Sequence, residues 1–227
     1  MASLLQRYAI QQQKIKALEK SWPVKLLAVS KTRPAEDVAA LYRVGQRDFG
    51  ENYLQEALQK QRQLANYDIS WHFIGPIQSN KTRDIAGYFS WVHSVDRLKI
   101  AQRLNQQRPA GLPKLNICLQ VNIDKEASKS GFYIEDLAAV IEPILGLKNI
   151  SLRGLMAIPK AGKCASDQAA AFKQLADVKQ ALNNEFGLKL DTLSMGMSSD
   201  MAAAINEGAT MVRIGTAIFG ARLKSTV

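Results

Sequence analysis

The stretch Leu26-Leu27-Ala28-Val29-Ser30-Lys31 is a short apolar run that ends on a lysine. Side chains alternate across an extended strand, so Leu27, Val29 and Lys31 share one face. Two aliphatic residues followed by an amine describe a buried strand whose C-terminal end meets a polar surface. Similar apolar runs return along the chain, separated by longer amphipathic stretches, and that alternation predicts parallel strands joined by helical crossovers. Strands are expected near Val24 to Lys31, Asp48 to Asn52, Trp71 to Gly75, Trp91 to Val95, Leu115 to Ile123, Leu152 to Ile158, Thr192 to Met197 and Met211 to Ile218. Helices are expected to start near Pro34, Tyr53, Asn80, Asp96, Ile134, Asp167 and Ser199, with a further helix, Leu4 to Leu18, before the first strand. About eight β/α units are the complement of a closed barrel. The predicted fold class is therefore α/β: a single (β/α)8 TIM barrel over residues 1–227 with an extra N-terminal helix. An open doubly wound sheet is the alternative, and the lack of a Gly-x-Gly-x-x-Gly turn after the first strand disfavours its dinucleotide-binding version.

Local signals set the boundaries. Pro34 opens a helix and Gly45 closes it, as the asymmetry of helix ends predicts. Ile134 to Ile141 spaces its apolar residues at three and four, the pattern of a helix lying on a sheet. Pro143 is expected to kink or shorten that helix. No internal repeat, low-complexity tract or Gly/Ser linker marks a second domain.

Composition narrows the function classes. With 227 residues, 47% of them hydrophobic, the chain can bury a large core without disulfides or metals. Cys118 and Cys164 are its two cysteines, expected to stay reduced in a cytoplasmic protein. The N-terminus breaks its apolar residues with Gln11, Gln12, Gln13, Lys14 and Lys16, so neither a signal peptide nor a membrane span is expected. A net charge of +10 raises the possibility of a nucleic-acid partner. The cations are scattered rather than clustered, however, and aromatic residues reach only 7%, leaving little for base stacking. A solvated basic surface without nucleic acid is the favoured reading. Two histidines, His72 and His93 on adjacent strands, and two cysteines do not make a zinc cluster, so no metal is expected.

The chemistry gathers at the two ends of the chain. At a barrel mouth walled by apolar residues, the Lys31 ammonium loses hydration, its neutral form becomes easier to reach, and it can attack an aldehyde to form a Schiff base. The competing reading is an exposed lysine in the loop Lys31-Thr32-Arg33-Pro34. Near the C-terminus, Ser198-Ser199-Asp200 stands between a strand and an amphipathic helix, where free amides, the helix dipole and hydroxyls attract an anion. Gly215 permits close approach and Thr216 adds another hydroxyl, at the position after strands seven and eight where barrels commonly bind phosphate. Each feature alone is better read as helix capping or core packing; together they describe a phosphate cradle beside an amine. Pyridoxal 5'-phosphate is the phosphorylated aldehyde that fits. Arg213 shares the face of Gly215 two residues deeper, where it either faces the pyridine nitrogen without protonating it or pairs with an interior acid such as Glu51.

Eight ordered motifs then resemble those of the pyridoxal phosphate homeostasis protein family: Leu27 to Thr32, Phe49 to Tyr53, Trp71 to Gly75, Gln78 to Lys81, Ser128 to Gly131, Leu152 to Pro159, Leu193 to Ser198 and Val212 to Gly220. The resemblance spans almost the whole chain. It implies a fold-type III barrel similar to the N-terminal domain of alanine racemase, with pyridoxal 5'-phosphate held as a Schiff base on Lys31. Asn52 and His72 are implied to shape the ring pocket at the mouth, Arg213 to face the pyridine nitrogen, and Ser198, Gly215 and Thr216 to hold the phosphate, with Ser199 a further cofactor-binding candidate. It implies no defined turnover, but cofactor holding and delivery to apoenzymes and an influence on amino-acid and keto-acid balance. Lys129, in Ser128-Lys129-Ser130-Gly131, matches a secondary lysine, although an ordinary loop cation is the preferred reading. The opposite-face tyrosine of racemases belongs to a C-terminal β domain that is not expected here, so racemisation is not expected either, and the protein is expected to be a monomer.

Overall fold

The computed structural model describes residues 2–160 and 164–221. The first helix, α1 (Leu4–Leu18), starts on a reciprocal cap: the Ser3 hydroxyl accepts the Gln6 amide at 3.2 Å, and the Gln6 side chain accepts the Ser3 amide at 2.8 Å. The cap satisfies two backbone donors that have no partner within the helix. The chain then alternates β1 (Lys25–Val29), α2 (Ala35–Arg43), β2 (Asp48–Glu51), α3 (Leu54–Gln63), β3 (Ser70–Phe73), α4 (Thr82–Tyr88), β4 (Trp91–Val95) and α5 (Leu98–Gln107). It continues through β5 (Leu115–Val121), α6 (Leu137–Leu145), β6 (Ile150–Ala157), α7 (Ala165–Phe186), β7 (Thr192–Ser194), α8 (Met201–Asn206), β8 (Met211–Ile214) and α9 (Thr216–Phe219).

The strands pair in parallel in chain order, and β8 closes the barrel on β1 with Leu27 opposite Arg213 and Ala28 opposite Ile214. The pleat sorts each strand into two faces. Leu26, Ala28, Phe49, Trp71 and Phe73 join Val38, Leu41, Ile85, Ile100, Leu104 and Phe172 of the helices in one continuous core. A much smaller apolar group, Trp91, Cys118 and Met156, stands apart from it. Burying each large aliphatic side chain stabilises by roughly 1.5–3 kcal/mol, so the layer between sheet and helices holds the barrel together and the axis is free to carry polar groups.

The eight strands and the N-terminal helix match the sequence reading, and the ends differ in instructive ways. β7 stops at Ser194 rather than Met197 because Gly196 turns the chain with φ +89°. β8 stops at Ile214, and Thr216 to Ile218, read as strand, belong to a helical turn, because Gly215 leaves the extended region (φ −109°, ψ −81°). α8 begins at Met201, two residues later than expected. Pro143 does not end its helix, which runs on to Leu145. Gly45 follows α2 with φ +101°, the left-handed geometry that suits a helix stop. No helix among the described residues is long and apolar enough to cross a membrane.

Candidate cofactor site

At the C-terminal ends of the strands lies a pocket of about 310 Å³, within the range of small-molecule sites. Lys31, Asn52, Ser198, Ser199, Arg213, Gly215 and Thr216 all line it, and Val29, Ile74, Ile158 and Met197 supply its apolar walls. The residues from the two ends of the chain meet because β1 and β8 are neighbours, so the loops that leave them share one rim.

Lys31 sits between two pinned residues. The Ser30 hydroxyl donates to Glu51 Oε1 at 2.7 Å, and Lys60 Nζ donates to the Ser30 carbonyl at 2.6 Å, to Glu51 at 2.7 Å and to Glu56 at 2.6 Å. Glu56 Oε1 also accepts the Thr32 amide at 2.6 Å. Thr32 is β-branched yet adopts φ +63°, a conformation that costs on the order of 1–3 kcal/mol and persists only where the surroundings impose it. Glu51 and Lys60 are almost fully buried; burial pushes the Glu51 carboxyl up, against the opposing pull of Lys60 and Ser30. A Ser30–Glu51–Lys60–Glu56 cluster, buried except at Glu56, thus fixes the backbone on both sides of the amine. Sequence reading missed Glu56 and Lys60, although their i, i+4 spacing on a helix is a detectable signal.

Across the pocket, Ser198 does not cap α8. The N-cap is Asp200, whose carboxylate accepts the Met197 amide at 2.5 Å, and no side chain caps the helix. The Ser198 and Ser199 hydroxyls at the rim are therefore not committed to capping. A Cβ built on Gly215 would come within 3.4 Å of the Val29 carbonyl and would narrow the pocket at the β1–β8 seam. Asn52 Oδ1 is buried without a hydrogen-bond partner among the described residues, although Asn52 lines the cavity. A buried acceptor without a partner costs about 1–3 kcal/mol, and a bound donor would remove that cost.

Arg213 is held by carbonyls and a hydroxyl rather than by an acid. Its Nη1 donates to Ser194 O at 2.5 Å and to Ser194 Oγ at 2.9 Å, and its Nη2 donates to Ala157 O at 3.0 Å. The Glu51 pairing considered from sequence is absent, because Glu51 faces Ser30 and Lys60. Burial lowers the Arg213 guanidinium to about 10, so it stays charged at neutral pH.

The structure sets His72 apart from the other candidate residues. It is fully buried in the barrel interior and is not among the residues lining the pocket. Its Nε2 lies 3.0 Å from Asp48 Oδ1 and 3.2 Å from Ser70 Oγ, its Nδ1 lies 2.9 Å from His93 Nε2, and its ring stacks on Trp91. The reason is reach: Ile74, two residues further along the same face, occupies the mouth, and a short imidazole cannot extend past it as the long Arg213 side chain does.

A second cavity of about 290 Å³ shares Asn52, Ile74 and Ile158 with the first and is lined by Lys129. Lys129 Nζ is 2.6 Å from Glu126 and donates to Ile158 O at 3.1 Å, the pairing of a loop cation. Among the described residues no three His, Cys, Asp or Glu side chains cluster as a metal site would require.

Comparison with known proteins agrees with this geometry. Residues 5–223 match the family model described as alanine racemase, N-terminal domain. A pyridoxal phosphate homeostasis protein of Pseudomonas aeruginosa is 64% identical over 199 residues, covering 88% of this chain and 85% of that one. PipY of Synechococcus elongatus, solved with pyridoxal phosphate bound, superposes with a TM-score of 0.87 at 37% identity, covering 96% of this chain and 100% of its own. An alanine racemase of Clostridium difficile shares the fold alone, with a TM-score of 0.74 at 17% identity, and 60% of its length is covered. With a pocket of this composition at the mouth of this barrel and relatives of this identity, the chain belongs to the pyridoxal phosphate homeostasis protein family.

Proposed function

We propose that this protein binds pyridoxal 5'-phosphate covalently through Lys31, and that it holds and delivers the cofactor rather than turning over a substrate. The reading is supported above all by one pocket that brings together an amine, three hydroxyls and a buried guanidinium, drawn from β1, β7 and β8 and their loops. When bound, pyridoxal 5'-phosphate supplies an electrophilic aldehyde, a phosphate dianion and a pyridine ring. Lys31 is the nucleophile for the first. Ser198, Ser199 and Thr216 are hydroxyl donors for the second, with Gly215 leaving the space. Arg213 donates to the ring nitrogen and cannot give up its proton, which keeps the ring a weak electron sink. Asn52 offers its unpaired acceptor. The described residues fit the group: the pocket has the size, the donors and the nucleophile, and the PipY structure with pyridoxal phosphate supports carrying the ligand over to this relative.

Holding rather than catalysis is supported by what lines the pocket around Lys31. Stereochemical inversion needs a second acid/base group on the opposite side of the substrate. Apart from Lys31 and the permanently charged Arg213, the described lining of this pocket contains hydroxyls, one amide and apolar groups, with no tyrosine, histidine, cysteine or carboxylate. Delivery to apoenzymes and an influence on amino-acid and keto-acid balance complete the proposal.

The purified protein is expected to show a visible absorbance band that Lys31→Ala abolishes. Borohydride reduction followed by peptide mass spectrometry is expected to place the adduct on Lys31, with alanine racemisation at background. An adduct solely on another lysine, or vigorous racemisation, would overturn the reading.

A further inference from the structure

A continuous line of hydrogen-bonded side chains crosses the inside of the barrel. It starts at Asp48 on β2 and passes through His72 on β3, His93 on β4 and Ser194 on β7 to Arg213 on β8. The contacts are 3.0 Å from Asp48 Oδ1 to His72 Nε2, 2.9 Å from His72 Nδ1 to His93 Nε2, 2.8 Å from His93 Nδ1 to Ser194 Oγ, and 2.9 Å from Ser194 Oγ to Arg213 Nη1. His72, His93 and Ser194 are fully buried and Arg213 is 5% exposed, so water does not compete with the bonds among them; Asp48, at the outer end, is partly exposed. We propose that His72 and His93 are positioning residues that hold Arg213 against the cofactor ring through Ser194, in a chain whose hydrogen bonds all run in one direction. The proposal rests on the reading of the mouth given above.

The direction follows from the two ends. Arg213 can only donate, so Ser194 Oγ accepts from it. Asp48, an ionised carboxylate, can only accept, so the proton of neutral His72 sits on Nε2 and Nδ1 is left as an acceptor. His93 must then donate to it from Nε2, which leaves His93 Nδ1 to accept the Ser194 hydroxyl proton. Every donor in the line meets an acceptor, with Ser194 O a second acceptor for Arg213 Nη1 and Ser70 Oγ a second neighbour of His72 Nε2, and both imidazoles are neutral Nε2–H tautomers. Each bond is polarised toward the carboxylate, from a fixed cation at one end to a fixed anion at the other, an arrangement in which hydrogen bonds strengthen one another.

Simple burial of two histidines would not need this pattern. They could pair with nearby carbonyls. Instead the line ends on a residue that lines the pocket. Ser194 is the joint, because its backbone carbonyl and hydroxyl both take Arg213 Nη1, at 2.5 and 2.9 Å. A serine hydroxyl rotates freely unless its own proton is accepted; the His93 ring stops that rotation and so fixes the lone pair that receives Arg213.

Two measurements test the idea, and the first needs no cofactor. The chain has two histidines, so a long-range ¹⁵N–¹H correlation spectrum of the apoprotein shows only two imidazoles. Both are expected to be neutral with the proton on Nε2 at pH 7; an Nδ1–H tautomer or a charged ring at either position would overturn the proposal. The second compares His93→Phe, which removes donor and acceptor, with His93→Gln, which retains one of each, and with Ser194→Ala. Transfer of cofactor from the loaded protein to an apoenzyme acceptor is expected to be roughly 10–100-fold faster in His93→Phe and Ser194→Ala, by analogy with the effect of removing a group that orients a metal-binding side chain. A shifted visible band is expected alongside, and His93→Gln is expected to restore slow transfer. Transfer as slow as wild type in both His93→Phe and Ser194→Ala would overturn the positioning role while leaving covalent binding at Lys31 intact. A wild-type protein that shows no visible band would instead count against the mouth reading. Should His93→Phe fail to fold, the tautomers and Ser194→Ala still decide.

Discussion

Thr32 shows how a single strained residue can aim its neighbour. A β-branched residue at φ +63° is unstable on its own, and it is held here by one acceptor, Glu56, which also anchors Lys60. Glu56→Ala deprives the Thr32 amide of that acceptor and Lys60 of one carboxylate. It is expected to lower stability by about 1–3 kcal/mol in urea unfolding and to slow the appearance of the visible band on adding pyridoxal phosphate. A denaturation midpoint equal to wild type would show that the pin contributes nothing. Lys31, Gly215 and Arg213 could be placed from sequence because strand parity is a strict period of two and all three follow it. His72 obeys the same parity and still lies elsewhere, since parity gives the face of a strand but not the depth along it. The i, i+4 spacing of Glu56 and Lys60 is legible in the sequence, but their link to Ser30 and Glu51 was out of reach, because it is a tertiary fact that no local period encodes.

Among the secondary-structure elements, apolar runs marked all eight strands, and proline and glycine marked helix α2. What escaped was the way strands stop. In Ile214 to Phe219 the apolar residues continue, so the pattern alone extends β8, whereas the backbone breaks at Gly215 and coils into α9. Glycine acts in the opposite way between β6 and β7. A Cβ on Gly154 would lie 1.8 Å from the Thr192 carbonyl, a backbone atom that cannot give way without parting the two strands. Gly154→Ala is expected to cost about 3 kcal/mol or more and to lower Tm by roughly 6–12 °C in calorimetry. In α4, by contrast, a Cβ on Gly87 meets only Pro109 Cγ at 3.9 Å. Gly87→Ala is expected to stabilise by about 0.5 kcal/mol, and equal Tm changes for both substitutions would refute the packing account.

The molecule as a whole carries both of its histidines buried, which makes its acid sensitivity readable. Burial lowers both; at His72 the Asp48 carboxylate opposes the shift and Lys25 adds to it, while at His93 the His72 ring and Arg213 reinforce it. Asp48 is itself held down by the His72 hydrogen bond and by Lys25, in spite of its own burial. The folded histidines therefore bind protons less readily than the unfolded ones. Their contribution to stability is complete above the ordinary value near 6.5 and falls as pH drops below it, until the lower folded values are reached. Each histidine adds a slope of up to about 1.4 kcal/mol per pH unit in that window. Urea unfolding from pH 7 to pH 5 is expected to show this loss, and His93→Gln to flatten it; a pH-independent midpoint would contradict the burial of both rings.

The seam where β1 meets β8 has a consequence for biosynthesis. Lys31 is translated well before the residues proposed to hold the phosphate, and Leu27 and Arg213 come side by side only after the intervening residues have emerged. A nascent or prematurely terminated polypeptide lacks half of the rim, so under the proposed function it would sequester no vitamer until the ring is closed.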